Sequence, residues 1–418
     1  MPSKQSLFVF YKTEKVGKIY IDSSNIFCFE YSAEWLKNKD AFAISHSMPL
    51  DKIIYVDAAY TYFSNLLPEG KIRKLISARL GVSEENDFML LKALGEDCAG
   101  AFGIYPFESF EKNKEASYKP IKLKEIAKIF YEQPVFYLGL NQTDIRLSLA
   151  GAQDKIALYF DNEQFFLTQN GAASSHILKF PSKDYVHLTE NEYFISQLAI
   201  DCELKLKPFK LIYEGHFVGL LAERYDRIVD HKKVERLHQE DFCQAMGISY
   251  KNKYQEEDGP SFKSSFEFIE AESSNTLEDI EQLLKWIVFN MCVGNCDHHG
   301  KNLSLLMTPE RKWSLSPFYD LLCTRVYSSI SKKQAMSVGG SFDGANLSKK
   351  NWLLLTQEIK YNYQNLLREI ALPIIDTIQI GIDQHVDFFK AKKSYEFIKV
   401  VSQEVKSLTR RVERSFYI

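Results

Sequence analysis

Residues 294–320 read GNCDHHGKNLSLLMTPERKWSLSPFYD, which sets an aspartate, an asparagine and a second aspartate at positions 297, 302 and 320. Just upstream, Leu277, Ile280, Leu283, Leu284, Ile287, Val288 and Met291 recur at three- and four-residue steps. That is the apolar stripe of an amphipathic helix, with Thr276 and Asp279 expected as its capping box. Gly294 stops the helix. After Asn302 an apolar run, residues 303–307, leads to a turn around Pro309 and a second extended run, residues 313–315, which together read as a hairpin. Asp297 and Asn302 then sit on the loop between helix and hairpin, and Asp320 lies just beyond the returning strand. The strand's return is expected to bring the three polar groups together.

Those residue types in one place suit phosphoryl transfer. That chemistry needs one carboxylate to orient and deprotonate the attacking hydroxyl, and an amide oxygen plus a second carboxylate to hold metal ions on the nucleotide phosphates. Two other readings stay open on this segment alone. Asp, Asn and Lys beside glycine are also ordinary turn chemistry, because Asx side chains bond their own backbone. Cys292, Cys296, His298 and His299 carry zinc-ligand atoms, although Cys292 falls on the expected helix and no second pair has zinc-like spacing.

Two upstream segments favour a nucleotide site. In RLSLAGAQDKIALYF, residues 146–160, a small-residue turn of Ala150, Gly151 and Ala152 leads into a strand-like run. Small residues let backbone N–H groups come close to phosphate oxygens. In HILKFP, residues 176–181, Lys179 breaks an apolar strand, and taken alone it reads as a charge guarding a sheet edge. Glu190, Asn191 and Glu192 then open an apolar-periodic helix, residues 193–199. A strand lysine facing a helix glutamate positions the α- and β-phosphates in protein kinases.

Taken in order, LSLAGAQDKIAL, HILKFP, ENEYF from Glu190, AERYDR at 222–227, RLHQEDFCQAMGI at 236–248, GNCDHHGKN and LSPFYD resemble the HipA-type serine/threonine kinases, toxins of bacterial toxin-antitoxin pairs. LLPEGKIRKLISARLGVS and LLKALGEDCAGAFGIYP resemble the smaller preceding domain of that family, so the likeness covers nearly the whole chain. It implies an α+β, two-domain HipA-like protein kinase fold. A small mixed β/α amino-terminal domain (residues 1–110) is followed by a linker and lead-in (111–145). The kinase core (146–418) has a nucleotide-binding lobe, then an α-rich carboxyl-terminal lobe from residue 230 or so.

By the same resemblance Asp297 would be the catalytic base, and Asn302 and Asp320 would ligate Mg2+. Ala150, Gly151, Ala152, Gln153, Asp154 and Lys155 would form the phosphate loop, and Lys179 would contact the phosphates of ATP. Glu223, Arg224 and Tyr225 would be the hinge whose backbone holds adenine. His299, Gly300, Lys301, Asn302, Tyr319 and Asp320 would complete the nucleotide contacts. Ser148 matches the family's autophosphorylated serine. A phosphate there adds roughly −1.5 to −2 charges beside a loop that must cradle the nucleotide's own phosphates. The resemblance also implies a HipB-like helix-turn-helix antitoxin as partner and an aminoacyl-tRNA synthetase, such as glutamate-tRNA ligase, as substrate, so that phosphorylation would inhibit translation and growth. A small-molecule or lipid kinase of the same architecture, or a pseudokinase-like binding module, are the other classes the residues allow.

The pattern departs from eukaryotic protein kinases. The phosphate loop lacks three glycines, Cys296 stands where an arginine usually precedes the base, and Leu321 rather than glycine follows Asp320. An activation loop switched by phosphorylation beside the metal aspartate is therefore not implied.

Composition bounds the rest. A chain of 418 residues exceeds one typical domain, and 45% hydrophobic with 26% charged residues is ordinary for a globular protein. No apolar stretch reaches the ~18 residues of a membrane span, and the opening MPSKQSLFVFYKTEK breaks too soon for a signal peptide. A cytoplasmic location is expected, with the seven scattered cysteines reduced. The net charge of -3 does not favour nucleic acid, so contact with DNA is expected only through a partner. Lys406, Arg410, Arg411 and Arg414 cluster near the end of the chain, as do Lys390, Lys392 and Lys393, most simply as solvated helix faces.

Local patterns fill in the remainder. A β-meander is expected over 7–11, 18–21 and 26–31, then helices over 65–80 and 87–94, each closed by a glycine. The polar stretch 111–119 reads as linker, residues 251–275 as a mobile surface loop near substrate, and the chain beyond Ser348 as helical with interruptions at Pro373 and Gly381.

Overall fold

The computed structural model describes residues 5–109, 116–132, 153–230 and 233–418. The chain forms two compact units, Met1–Phe180 with Ile212–Tyr250 and Pro181–Leu211 with Lys251–Ile418. Strands and helices mix in the first, and helices dominate the second.

The first unit opens with the expected meander, Ser6–Tyr11, Glu14–Ile21 and Phe27–Tyr31, paired antiparallel. Short strands Ile54–Tyr55 and Phe102–Tyr105 extend it to five. Leu7, Val9, Val16, Ile19, Phe29 and Tyr31 are buried on it. The helix expected over 65–80 is two helices, Asp57–Asn65 and Gly70–Leu80, because Pro68 cannot continue the first. Gly81 closes the second in a left-handed conformation, whereas Gly95 follows Asp87–Leu94 in a right-handed one and leads into a single tight turn, Gly95–Asp97.

A second sheet has six strands in the order Phe209–Glu214, Phe217–Glu223, His176–Lys179, Lys155–Asp161, Gln164–Gln169 and Ser117–Ile121. The polar stretch read as linker thus runs into a strand, and the amphipathic helix Leu123–Glu132 follows, burying Ile126, Ala127 and Phe130. Phe130 stacks on Phe180, with centroids 5.7 Å apart. The strand carrying Lys179 is interior, with Lys155 opposite it on one side and Leu220 on the other. An edge-guarding role for Lys179 is therefore ruled out, since both neighbouring positions are paired.

In the second unit the long helix Thr276–Val293 packs against Tyr395–Ser415, which packs in turn on Leu372–Asp387. Trp286, Ile287, Phe289, Ile375, Ile378, Ile398, Val401 and Val405 form their core. Pro373 follows directly on a π-helical segment, Leu366–Ala371, that runs without a stop into Leu372–Asp387, so the interruption expected there is a change of helix type, and Gly381 lies inside that helix without breaking it. The breaks fall elsewhere, at the left-handed Lys360 and at residues 388–394.

Residues 251–275 are a correction to the sequence reading. They contain the helix Phe262–Glu272, capped by a reciprocal Ser261 and Ser264 box, with Phe262, Phe266 and Ile269 buried. Steps of four and three were present, but short helices with serine-rich first turns carry little propensity signal.

Candidate functional site

The helix Thr276–Val293 delivers the chain to the site and must stop sharply. Gly294 does this at φ 70, ψ 35, a left-handed conformation that glycine adopts without penalty. The N-terminal capping box expected of Thr276 and Asp279 is not formed, because Asn275 is the cap residue and makes no side-chain capping bond. Asp279 instead accepts from Leu315 N at 2.7 Å and Ser273 Oγ at 2.6 Å, which pins the returning strand Trp313–Leu315 to the helix. That strand pairs with Ser304–Met307 in the expected hairpin.

Asn295, buried at 1% exposure, joins the ends of the loop. Its amide donates to Asn290 Oδ1 at 2.9 Å and to Asp320 O at 3.4 Å, while its oxygen accepts from Asp297 N at 3.2 Å. Asn302 donates from Nδ2 to Asp297 O at 2.9 Å, which ties the second polar residue to the first. Tyr319 Oη donates to Lys301 O at 2.7 Å, so the 2.8 Å contact with Ser304 Oγ is one it accepts. Asp320 holds a left-handed φ of 55, which aspartate tolerates better than most residues. The segment after it is fixed by Asn191, whose side chain bonds both Cys323 N (3.0 Å) and Cys323 O (2.9 Å). The backbones of Asp297, Asn302 and Asp320 are thus joined through buried neutral amides.

The charged ends remain near solvent. The Asp297 side chain is 47% exposed, whereas Asn302 is 6% exposed. Tyr254 Oη donates to Asp297 Oδ1 at 2.8 Å. His299 Nε2 lies 4.0 Å from Asp297 Oδ2, too far for a hydrogen bond. Burial, helped by Lys253 and Lys301 and opposed by Asp320, holds His299 well below the usual histidine range, so it is neutral here. His298 is sandwiched by Phe262 and edge-on Trp286, and donates from Nδ1 to Asn295 O at 2.7 Å. Burial pushes its pKa down to about 4.

The zinc reading fails here. Among the described residues no group of three or more His, Cys, Asp or Glu side chains gathers as a metal site. Cys292 is sealed in the helix, and the Cys296 thiol is turned towards Lys332 O at 3.4 Å. All seven cysteines are free and buried, and burial lifts Cys98, Cys202 and Cys323 to about 12, which makes them inert.

In the first unit, Lys179 is 6% exposed and stands directly across from Lys155. Gln153 donates to Phe180 O at 3.2 Å, and Asp154 O accepts from Phe180 N at 2.9 Å, so the end of the expected phosphate loop is laced to the strand of Lys179. Ala150, Gly151, Ala152 and Ser148 lie outside the described residues. Arg224 N donates to Ser175 O at 3.0 Å, which uses its amide and, by antiparallel alternation, turns the polar backbone groups of Glu223 to the other side. Tyr225 Oη donates to Gln239 Oε1 at 2.7 Å. The Arg224 guanidinium points inward, to Asp226 (2.9 and 2.8 Å), Ser174 Oγ (2.9 Å) and Cys98 O (3.1 Å). The side chain therefore serves the interior, whereas the contact expected of this residue is through its backbone. Glu190, in the second unit, takes Thr189 Oγ1 at 2.9 Å and His187 Nδ1 at 2.8 Å.

Comparison with known proteins decides the family. Family models match for the HipA N-terminal domain over residues 7–105 and the HipA-like C-terminal domain over residues 147–385. The chain belongs to the HipA family. The serine/threonine-protein kinase toxin HipA of Shewanella oneidensis is 30% identical over 342 residues, covering 78% of this chain and 77% of that one. A Sinorhizobium fredii protein designated a kinase is 34% identical over 385 residues, covering 89% and 91%. A solved HipA chain, from the Shewanella oneidensis complex of HipA, HipB and operator DNA, superimposes with TM-score 0.85 at 25% identity, covering 99% of each chain. The fold is the α+β, two-domain HipA fold, and the chain is a protein kinase of that type. No described helix of this HipA-family kinase is long and apolar enough to cross a membrane.

Two residues that hold the catalytic-loop candidates escaped the sequence reading. Asn295 sits inside the quoted motif, where its flanking Gly294 and Cys296 gave no pattern. Tyr254 lies in a polar stretch, 43 residues from the carboxylate it contacts, and no local spacing signals such a bond.

Proposed function

We propose that this chain transfers the γ-phosphoryl group of ATP to a serine or threonine hydroxyl of a protein, with Asp297 as the base. The observation that carries the reading is the joining of Asp297, Asn302 and Asp320 through the side chains of Asn295 and Asn302. It ties the backbone of the loop carrying Asp297 and Asn302 to that of Asp320 beyond the hairpin, which supports a shared role for two carboxylates and an amide oxygen, the set that phosphoryl transfer uses. The acceptor oxygen attacks the γ-phosphorus, the bond to the β-γ bridging oxygen breaks, ADP leaves, and the hydroxyl proton passes to Asp297.

Asn302 spends its NH2 group on Asp297 O, which leaves its oxygen as the ligand end. With the Asp320 carboxylate, this gives the hard oxygen donors that magnesium takes. Magnesium held there would neutralise phosphate charge. Burial keeps His299 neutral, so it sets no cation beside Asp297. In the first unit Lys179 and Lys155 are assigned to the nucleotide phosphates. Glu223 and Tyr225 are assigned to adenine through their backbones.

We assign the biological role by family: a toxin kinase held in check by a HipB-like antitoxin, acting on an aminoacyl-tRNA synthetase such as glutamate-tRNA ligase, and autophosphorylating at Ser148. The neighbouring structure's HipA, HipB and DNA support the partner, with DNA reached through it. Incubation with Mg-ATP and cell lysate, followed by phosphosite mass spectrometry, tests the whole reading. Phosphate on Ser148 and on a synthetase, both absent with Asp297→Asn, is the expected result. Label entering only lipid or small molecules would overturn the protein-kinase assignment.

A further inference from the structure

The stretch that the sequence presents as a surface loop is built onto the catalytic loop. Gly300 N donates to Lys253 O at 3.3 Å, and a Cβ at Gly300 would stand 2.5 Å from Pro260 Cγ, so only glycine allows this approach. The other side is tied to residues 335–337: Gln255 N donates to Ala335 O (3.1 Å), and Gln255 Oε1 accepts from Ser337 N (2.7 Å). Gly259 N closes the turn on Tyr254 O at 3.0 Å. Tyr254 is thereby fixed at its backbone. Its ring meets His299 edge-on at 5.4 Å, and its hydroxyl reaches Asp297 Oδ1.

A carboxylate that must take a proton from an acceptor hydroxyl has two oxygens and free rotation about its last bond. Donation from Tyr254 to Oδ1 removes that freedom and presents Oδ2. His299 cannot do this, since it lies 4.0 Å away. We propose that Tyr254 is a positioning residue for phosphoryl transfer, holding the Asp297 carboxylate so that Oδ2 meets the acceptor hydroxyl. The inference rests on Asp297 being the base.

Steady-state kinetics of Tyr254→Phe, Tyr254→Leu and Asp297→Asn, with labelled ATP and the unphosphorylated form of a protein that the wild-type chain labels in lysate, test it. Phenylalanine keeps the ring against His299 and removes only the hydroxyl. Its kcat is expected to fall about 10- to 100-fold, the scale of a misplaced catalytic group, with KM for ATP unchanged. Tyr254→Leu should fall at least as far. A purely structural Tyr254 predicts the opposite split, with phenylalanine at wild-type kcat and only leucine impaired, and that result would overturn the proposal. Asp297→Asn separates the two levels. If it is inactive while Tyr254→Phe is normal, this inference alone falls; if it is active, the assignment of the base falls first.

Discussion

The arginine cluster of the first unit and the candidate catalytic loop of the second hold their polar groups by opposite rules. Behind the AERYDR segment of the first, Arg224, Arg227 and Arg236 meet Asp97 and Asp226 in a network whose members are almost wholly enclosed. Burial alone would raise Asp226, but Arg224 and Arg227 outweigh it and hold the carboxyl far below its ordinary value. Burial also pushes Arg227 down to about 10. In the second unit the candidate catalytic loop is fixed by neutral groups, Asn295, Asn302, Tyr319 and Tyr254, while the Asp297 side chain stays 47% exposed. Charges that neutralise one another inside a protein serve shape. A charge set at the surface on a scaffold of neutral hydrogen bonds is left for chemistry.

That contrast is breakable by substitution. Asp297→Asn should cut kcat about 10²–10⁴-fold while urea unfolding stays within about 0.5 kcal/mol of wild type. A stability loss as large as the activity loss would erase the distinction. Asp226→Asn is expected to do the reverse, costing the first unit about 3–5 kcal/mol as its buried arginines lose a partner, read by urea denaturation. Asn295→Ala should fall between the two. It leaves Asp297 N and Asp320 O without their buried partner, at about 1–3 kcal/mol, and it should lower kcat as the loop relaxes.

The smallest expected effect is on pH. His298 is neutral when folded, with a pKa of about 4, and an unfolded histidine titrates near 6.5. Below pH ~6.5 the unfolded chain therefore binds the extra proton, so this contribution is full at neutral pH and lost as pH falls towards 4. Comparing urea midpoints at pH 7 and pH 5, His298→Gln should flatten the difference by on the order of 1 kcal/mol. An unchanged slope would mean that the histidine takes up its proton in the fold at the same pH as in the unfolded chain.

Patterns that repeat along the chain were readable. The stripe read from Leu277 to Met291, the stop at Gly294 and the hairpin after Asn302 all came from local spacing, although Leu277 itself is exposed. So did the meander and a helix over 193–199, which in the structure runs over Leu188–Asp201. Lys179 could be placed on a strand but not within a sheet, because strand order depends on pairings far apart in sequence. The helix Phe262–Glu272 was lost because its polar first turn masked three buried apolar positions. Arg224 read as part of a ligand-binding hinge, and nothing local showed that its side chain turns towards Cys98 O, 126 residues away.

Sequence alone determined which residues carry oxygen, amide and lysine nitrogen, on which kind of element each lies, and to which family the ordered motifs point. Only the tertiary structure decided that Asn295 binds the backbone 25 residues on and that Tyr254 reaches across 43 residues to one oxygen of Asp297. Helix and strand periodicity is written by neighbours a few residues apart. A single hydrogen bond between distant side chains leaves no period, and it forms only once the packed core has fixed both backbones.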